Sequence, residues 1–112
     1  MTYNAGDVLL VQFPFLELDA SKKRPVLVLS SQEFHKVNKS FVAAMITTVT
    51  HSNWAGDTII KDLKSAGLKH QCLIRLKLFT LPDLIDVKKI GILSKSDHAA
   101  FKKNREKFVS VT

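Results

Sequence analysis

A chain of 112 residues, 46% hydrophobic and 24% charged, has the length of one domain and enough apolar content for one core. Its apolar runs are strand-sized, far short of the roughly 20 residues a membrane span needs, and the first residues lack the basic-then-apolar pattern of a secretory signal. Seventeen Lys and Arg against ten Asp and Glu leave a formal charge of +7, which favours nucleic acid, an anionic membrane surface or an acidic protein segment as partner.

Gly6-Asp7 is a turn signal, and residues 8–13 read as a largely buried strand because they barely alternate. Pro14 ends it. Residues 14–23 form a loop that is long for a hairpin connection, and such loops tend to be functional. The second strand is Pro25 to Ser31. Proline suits a first strand residue, since φ is fixed and there is no N–H to offer a ladder. Arg24, just before it, is pushed toward an extended backbone. Lys22-Lys23-Arg24 therefore places three cations at the mouth of an anchored strand. A solvated loop leading into a buried strand accounts for the same residues.

Residues 32–40 are polar, and read as one helical turn or an irregular connection. A third strand covers 41–49. Thr50 to Gly56 is a loop carrying His51, Asn53 and Trp54. A short fourth strand spans 57–61, and 62–69 is a turn. Over 71–81 the pattern alternates from Arg75 to Leu78, the sign of a strand with one wet face. A further strand spans 86–93, where Gly91 suggests a bulge or close backbone packing. Ser94, with Asp97 three residues on, approximates a capping box for a helix running to about Phe108, with Ser96 an alternative cap. Phe101 and Phe108 share a face of that helix. Five or six short strands with a terminal helix make the chain mainly β (α+β): a small antiparallel barrel, closed or half-closed.

The expected chemistry is narrow. There is no HExxH, CxxC or EF-hand spacing, no phosphate-binding glycine loop and no Gly-x-Ser-x-Gly elbow, so neither a metal nor a cofactor is expected. The single cysteine, Cys72, can form no internal disulfide, fits a reducing cytoplasm, and reads as a core filler. What remains is Arg24 with Thr47 and Thr48. If their strands are neighbours, a guanidinium and hydroxyls converge on one rim. That suits a phosphodiester: the planar fork of Arg matches phosphate oxygens, and a threonine hydroxyl donates to a non-bridging oxygen. Equally, the threonines suit a half-buried strand simply as β-formers. Trp54 either stacks on a base of single-stranded nucleic acid or folds back on the core.

The segments Gly6-Asp7-Val8, Lys23-Arg24-Pro25-Val26-Leu27-Val28-Leu29-Ser30, Ile46-Thr47-Thr48, Ala66-Gly67-Leu68 and Lys89-Ile90-Gly91-Ile92-Leu93-Ser94 occur in order and at suitable spacing. In them the chain resembles the MazF/PemK-type toxins of bacterial type II toxin–antitoxin systems, over roughly residues 5–95. The resemblance implies one toxin domain over 1–112 with an SH3-like β-barrel, short helices and a C-terminal helix. It implies a cytoplasmic homodimer without membrane association, neutralised by an acidic antitoxin and binding DNA in complex with it. It also implies a metal-independent endoribonuclease that cuts single-stranded RNA by attack of the 2′-OH on its own phosphate. The family's catalytic Arg falls on Arg24 and its Thr on Thr47, with Thr48 left open. A guanidinium stays protonated, so stabilising transition-state charge is its safer role. Lys22, Lys23, His51, Trp54 and Lys77 are the expected RNA contacts. In the fifth strand Lys77 and Phe79 stand where many relatives carry Gln and Arg, so base selection is expected to differ. Two other readings share the barrel: a non-catalytic toxin that poisons a topoisomerase, and an RNA-binding barrel that does not cut.

Overall fold

In the computed structural model, which describes residues 2–12, 23–49, 53–83 and 85–111, one six-stranded antiparallel sheet runs in the order β4-β5-β3-β2-β1-β6. The strands are β1 Asp7–Gln12, β2 Lys23–Val28, β3 Ser40–Thr48, β4 Thr58–Ile59, β5 Cys72–Pro82 and β6 Val87–Ile92. The helices are α1 Gln32–Asn38, α2 Leu63–Ala66 and α3 Lys95–Phe108. The central strands are buried on both sides. Val8, Leu27, Ala44, Ile46 and Ile74 join one apolar cluster with Phe101 of α3. Leu9, Val11, Val26, Val28, Phe41, Ala43 and Leu81 form a second cluster. Burial on both faces explains why β1 and β2 read as continuous apolar runs.

The chain is mainly β (α+β), as expected, and three details are sharpened. The sheet is not closed: β4 and β6 are its two edges. Helices bridge the gap instead. The end of α2 lies so close to β6 that a Cβ on Gly91 would collide with the backbone of Ser65 and Ala66, and Ser65 Oγ donates to the Ile92 carbonyl at 2.7 Å. Opposite Gly91 the β1–β6 register also shifts, so both expectations for that glycine hold. Along the other edge, the buried Asp97 carboxylate of α3 accepts from Lys61 N at 3.0 and 3.1 Å and from Asp62 N at 2.9 Å.

Residues 32–38 form a full helix rather than a single turn. Ser31 caps it by accepting from Phe34 N, and Lys39 ends it in the left-handed region at φ 53°. Residues 63–66 are helical where a turn was expected, with Asp62 as the cap and Gly67 at φ 73° as the stop. Short helices of this kind carry too few residues for a periodic signal. Ser94 caps α3 as expected, accepting from Asp97 N, but the carboxylate of Asp97 is spent on the β4 edge. Phe101 is buried whereas Phe108, on the same helix face, is half-exposed near Gly56.

The Gly-Asp start is structural. Gly6 sits at φ 97°, donates to the Val28 carbonyl at 2.8 Å and accepts from Leu93 N at 2.9 Å. Asp7 accepts from Asn4 N at 2.9 Å and pairs with Lys89 at 3.2 Å. Cys72 is buried, and burial pushes its thiol pKa up, which suits a filler rather than a nucleophile.

Candidate nucleic-acid interface

β2 pairs with β3 through Val26↔Met45, Leu27↔Ala44 and Val28↔Ala43. The paired register ends at Val26↔Met45; continued for two residues, it would set Arg24 across from Thr47. Side chains alternate along a strand, so Arg24 shares a face with Val26 and Val28, and Thr47 shares one with Ala43 and Phe41. All four of those apolar residues belong to the second cluster. Arg24 and Thr47 thus stand on one face of neighbouring strands. Arg24 is exposed and Thr47 half-buried, at the rim where the cluster gives way to solvent. Thr48 is on the opposite face with Ala44 and Ile46, which belong to the first cluster. The same alternation turns Lys23 away from Arg24, and its ammonium pairs with Asp86 at 2.9 Å. Lys22 and His51 lie outside the described residues, as does most of the stretch 14–23 expected to be a loop.

β5 completes this face. Its register against β3 shifts between Ala44 and Met45: Ala44 faces Leu78, and Met45 faces Arg75. Leu76 and Lys77 therefore have no opposite residue on β3, and β5 bulges there. Leu78 is 41% exposed while Arg75 is only 8% exposed. Arg75 was expected on a wet face. Instead its Nε donates to Asp57 Oδ1 at 3.1 Å and its Nη2 to Asp57 Oδ2 at 2.9 Å. This fork raises the guanidinium pKa, against burial, which lowers it. Met45 lies two residues from Thr47 on the same face, so Arg75 is diagonal to Thr47.

Trp54 is not a core plug. It is 44% exposed, with Lys77 Nζ 4.8 Å and Arg75 Cζ 5.9 Å from its ring centroid. The turn that carries it is tied down at several points. Asp57 N donates to the Trp54 carbonyl at 3.1 Å, Gly56 takes φ 89°, and Asn104 Nδ2 of α3 donates to the Asp57 carbonyl at 3.3 Å and to Thr58 Oγ1 at 2.8 Å. Phe79, opposite Ala43, packs on the second cluster as an apolar residue. Of the expected contacts, Trp54 meets Lys77, while Arg24 and Thr47 share one face of adjacent strands. Arg75 and Asp57 are additional members. The sequence pattern sets Arg75 on the wet face of a strand and gives it no site role, and nothing marks Asp57.

The same fold occurs in solved toxin structures. A MazE–MazF complex from Deinococcus radiodurans superposes with a TM-score of 0.77 at 12% identity, covering 100% of this chain and 99% of that one. An endoribonuclease in complex with its cognate antitoxin from a mycobacterial species gives 0.75 at 13%, covering 98% and 97%. Toxin MazF-mt6 of Mycobacterium tuberculosis gives 0.69 at 20%, covering 90% and 93%. No curated protein matches the chain significantly by sequence. The family model described as PemK-like, MazF-like toxin of type II toxin–antitoxin system matches residues 4–105. The chain belongs to that toxin family.

Proposed function

We propose that this single-domain toxin is a metal-independent endoribonuclease acting on single-stranded RNA. What supports the reading is the β2–β3 register and strand alternation, by which Arg24 and Thr47 share one face of adjacent strands at its solvent-exposed rim. The scissile phosphate would lie between them. Arg24 presents its fork to the non-bridging oxygens, and Thr47 donates its hydroxyl to one of them. Both interactions strengthen as the 2′-OH attacks and charge builds on the pentacoordinate phosphorus. The products would be a 2′,3′-cyclic phosphate and a 5′-OH fragment. The family reading also includes a cytoplasmic homodimer and an acidic antitoxin, and the formal charge of +7 suits both polyanions. The mycobacterial relative is described as an endoribonuclease bound to its antitoxin, in keeping with this.

The test is end-labelled single-stranded RNA incubated with purified protein in EDTA. Cleavage is expected, with a 5′-OH product, and a 2′-deoxy substitution at the cut site should block it. Arg24→Ala should abolish cleavage while the circular dichroism spectrum is retained. Full activity in that variant refutes the site. No cleavage of any sequence, together with inhibition of DNA supercoiling, replaces the nuclease with a topoisomerase poison.

A further inference from the structure

Beside the row that would hold the phosphate, the turn over residues 53–57 holds an aromatic ring in a fixed setting. Asn104 of α3 ties down the backbone of Asp57. The Asp57 carboxylate grips Arg75 with two bonds. Arg75 and Lys77 then approach the Trp54 ring. An exposed tryptophan normally has rotamer freedom to lose on binding. Here two cations and a clamped turn restrict that freedom before any ligand arrives.

Position follows from the sheet. Thr47 and Arg75 sit on adjacent strands, two residues apart along β3. With strands about 4.8 Å apart and a rise of about 3.3 Å per residue, their Cα atoms are roughly 8 Å apart. The Trp54 ring lies further on, its centroid 5.9 Å from Arg75 Cζ, where the nucleotide next to a phosphate at Thr47 would run. The exposed part of an indole ring accepts the π-face of any base. Lys77, 4.8 Å from the ring, is placed to meet the backbone phosphate of that nucleotide.

We propose that Trp54 is the stacking platform for one base next to the scissile phosphate, and that Asp57 and Arg75 are positioning residues that set its ring. The inference rests on the endoribonuclease reading for the phosphate beside it. The platform supplies affinity and register more than base identity, because stacking is sequence-tolerant.

Trp54 is the only tryptophan in the chain, so fluorescence excited at the red edge of the tryptophan band, where Tyr3 does not absorb, reports on it alone. The probe is a fully 2′-O-methylated single-stranded oligoribonucleotide, which cannot be cut, with one abasic site walked along it. Wild-type protein should show quenching on binding. An abasic site at one position should remove the quench and weaken binding about 10- to 100-fold. Trp54→Ala should weaken binding of the intact oligomer by the same factor and be indifferent to that abasic site, and Trp54→Phe should recover most of the affinity. Asp57→Asn and Arg75→Lys should reduce the quench, and on cleavable RNA they should raise KM while kcat holds; a purely structural role would lower both activity and melting temperature. Unchanged affinity in Trp54→Ala, or an abasic penalty equal in Trp54→Ala and wild type, overturns the platform. Quenching with position-specific abasic loss but no cutting of unmodified RNA keeps the platform and rejects the nuclease. Cutting by Trp54→Ala with wild-type KM does the reverse.

Discussion

Asp97 closes the open edge of the sheet, and removing its carboxylate tests how the gap is held. The side chain is 1% exposed, and it satisfies two backbone amides, Lys61 N and Asp62 N, at the junction of β4 and α2. A hydrogen bond to a charged acceptor contributes about 1.5–3 kcal/mol net. Asp97 also lies in the first turn of α3, where a carboxylate adds about 0.3–1 kcal/mol against the helix dipole. Lys61 and Asp62 are themselves exposed residues, so water can partly rehydrate their amides after truncation. Weighing these, Asp97→Ala should cost about 3 kcal/mol, a large share of the 5–15 kcal/mol that holds a typical domain together. With a urea m-value of about 1.5 kcal/mol/M, the midpoint should fall by about 2 M. Asp97→Asn should cost roughly half as much, since one carboxamide oxygen still accepts while its NH2 opposes the second amide. Equilibrium urea unfolding followed by circular dichroism measures both. A loss below about 0.5 kcal/mol for Asp97→Ala, the range of an ordinary surface substitution, would refute the view that this carboxylate bridges the sheet edge.

Two further predictions follow from geometry and burial. Thr47 shares the Arg24 face and Thr48 does not, so Thr47→Ala should lower kcat on single-stranded RNA about 100-fold, the effect of losing one transition-state donor. Thr48→Ala should lose far less, and equal losses in the two variants would mean the register argument is wrong. For Cys72, burial raises the thiol pKa in the folded state. A folded pKa above the unfolded one means that stability is fully present below about pH 8.5, the unfolded thiol value, and declines as pH rises from there toward the folded value. Urea midpoints between pH 7 and 10 should show that decline in wild type and less of it in Cys72→Val. A thiol reagent should modify native Cys72 only as fast as the chain opens, and rapid modification of native protein would count against burial.

Much of this protein is determined locally. Apolar runs with Pro and Gly punctuation mark β1, β2 and β3 to within a few residues, because strands buried on both faces leave continuous runs. Ser94 marks the start of α3 because a cap is a matter of four consecutive residues. Arg24 is legible for the same reason: a proline sets the conformation of the residue before it. Tertiary structure alone decides the rest. Whether Thr47 or Thr48 faces Arg24 is a matter of strand register, and a single residue of slip exchanges the faces. Arg75 reads as solvated along the chain, and its contacts with Asp57 and Trp54 exist only in the folded sheet, just as the β5 bulge is visible only against β3. Its partner Asp57 is 18 residues away along the chain, brought to it by the pairing of β4 with β5. Asp97, which locally completes a helix cap, is taken up by amides 35 and 36 residues distant. Backbone conformation and capping are short-range interactions that the chain carries in its own order, whereas register, bulges and long-range ion pairs exist only once the strands have met.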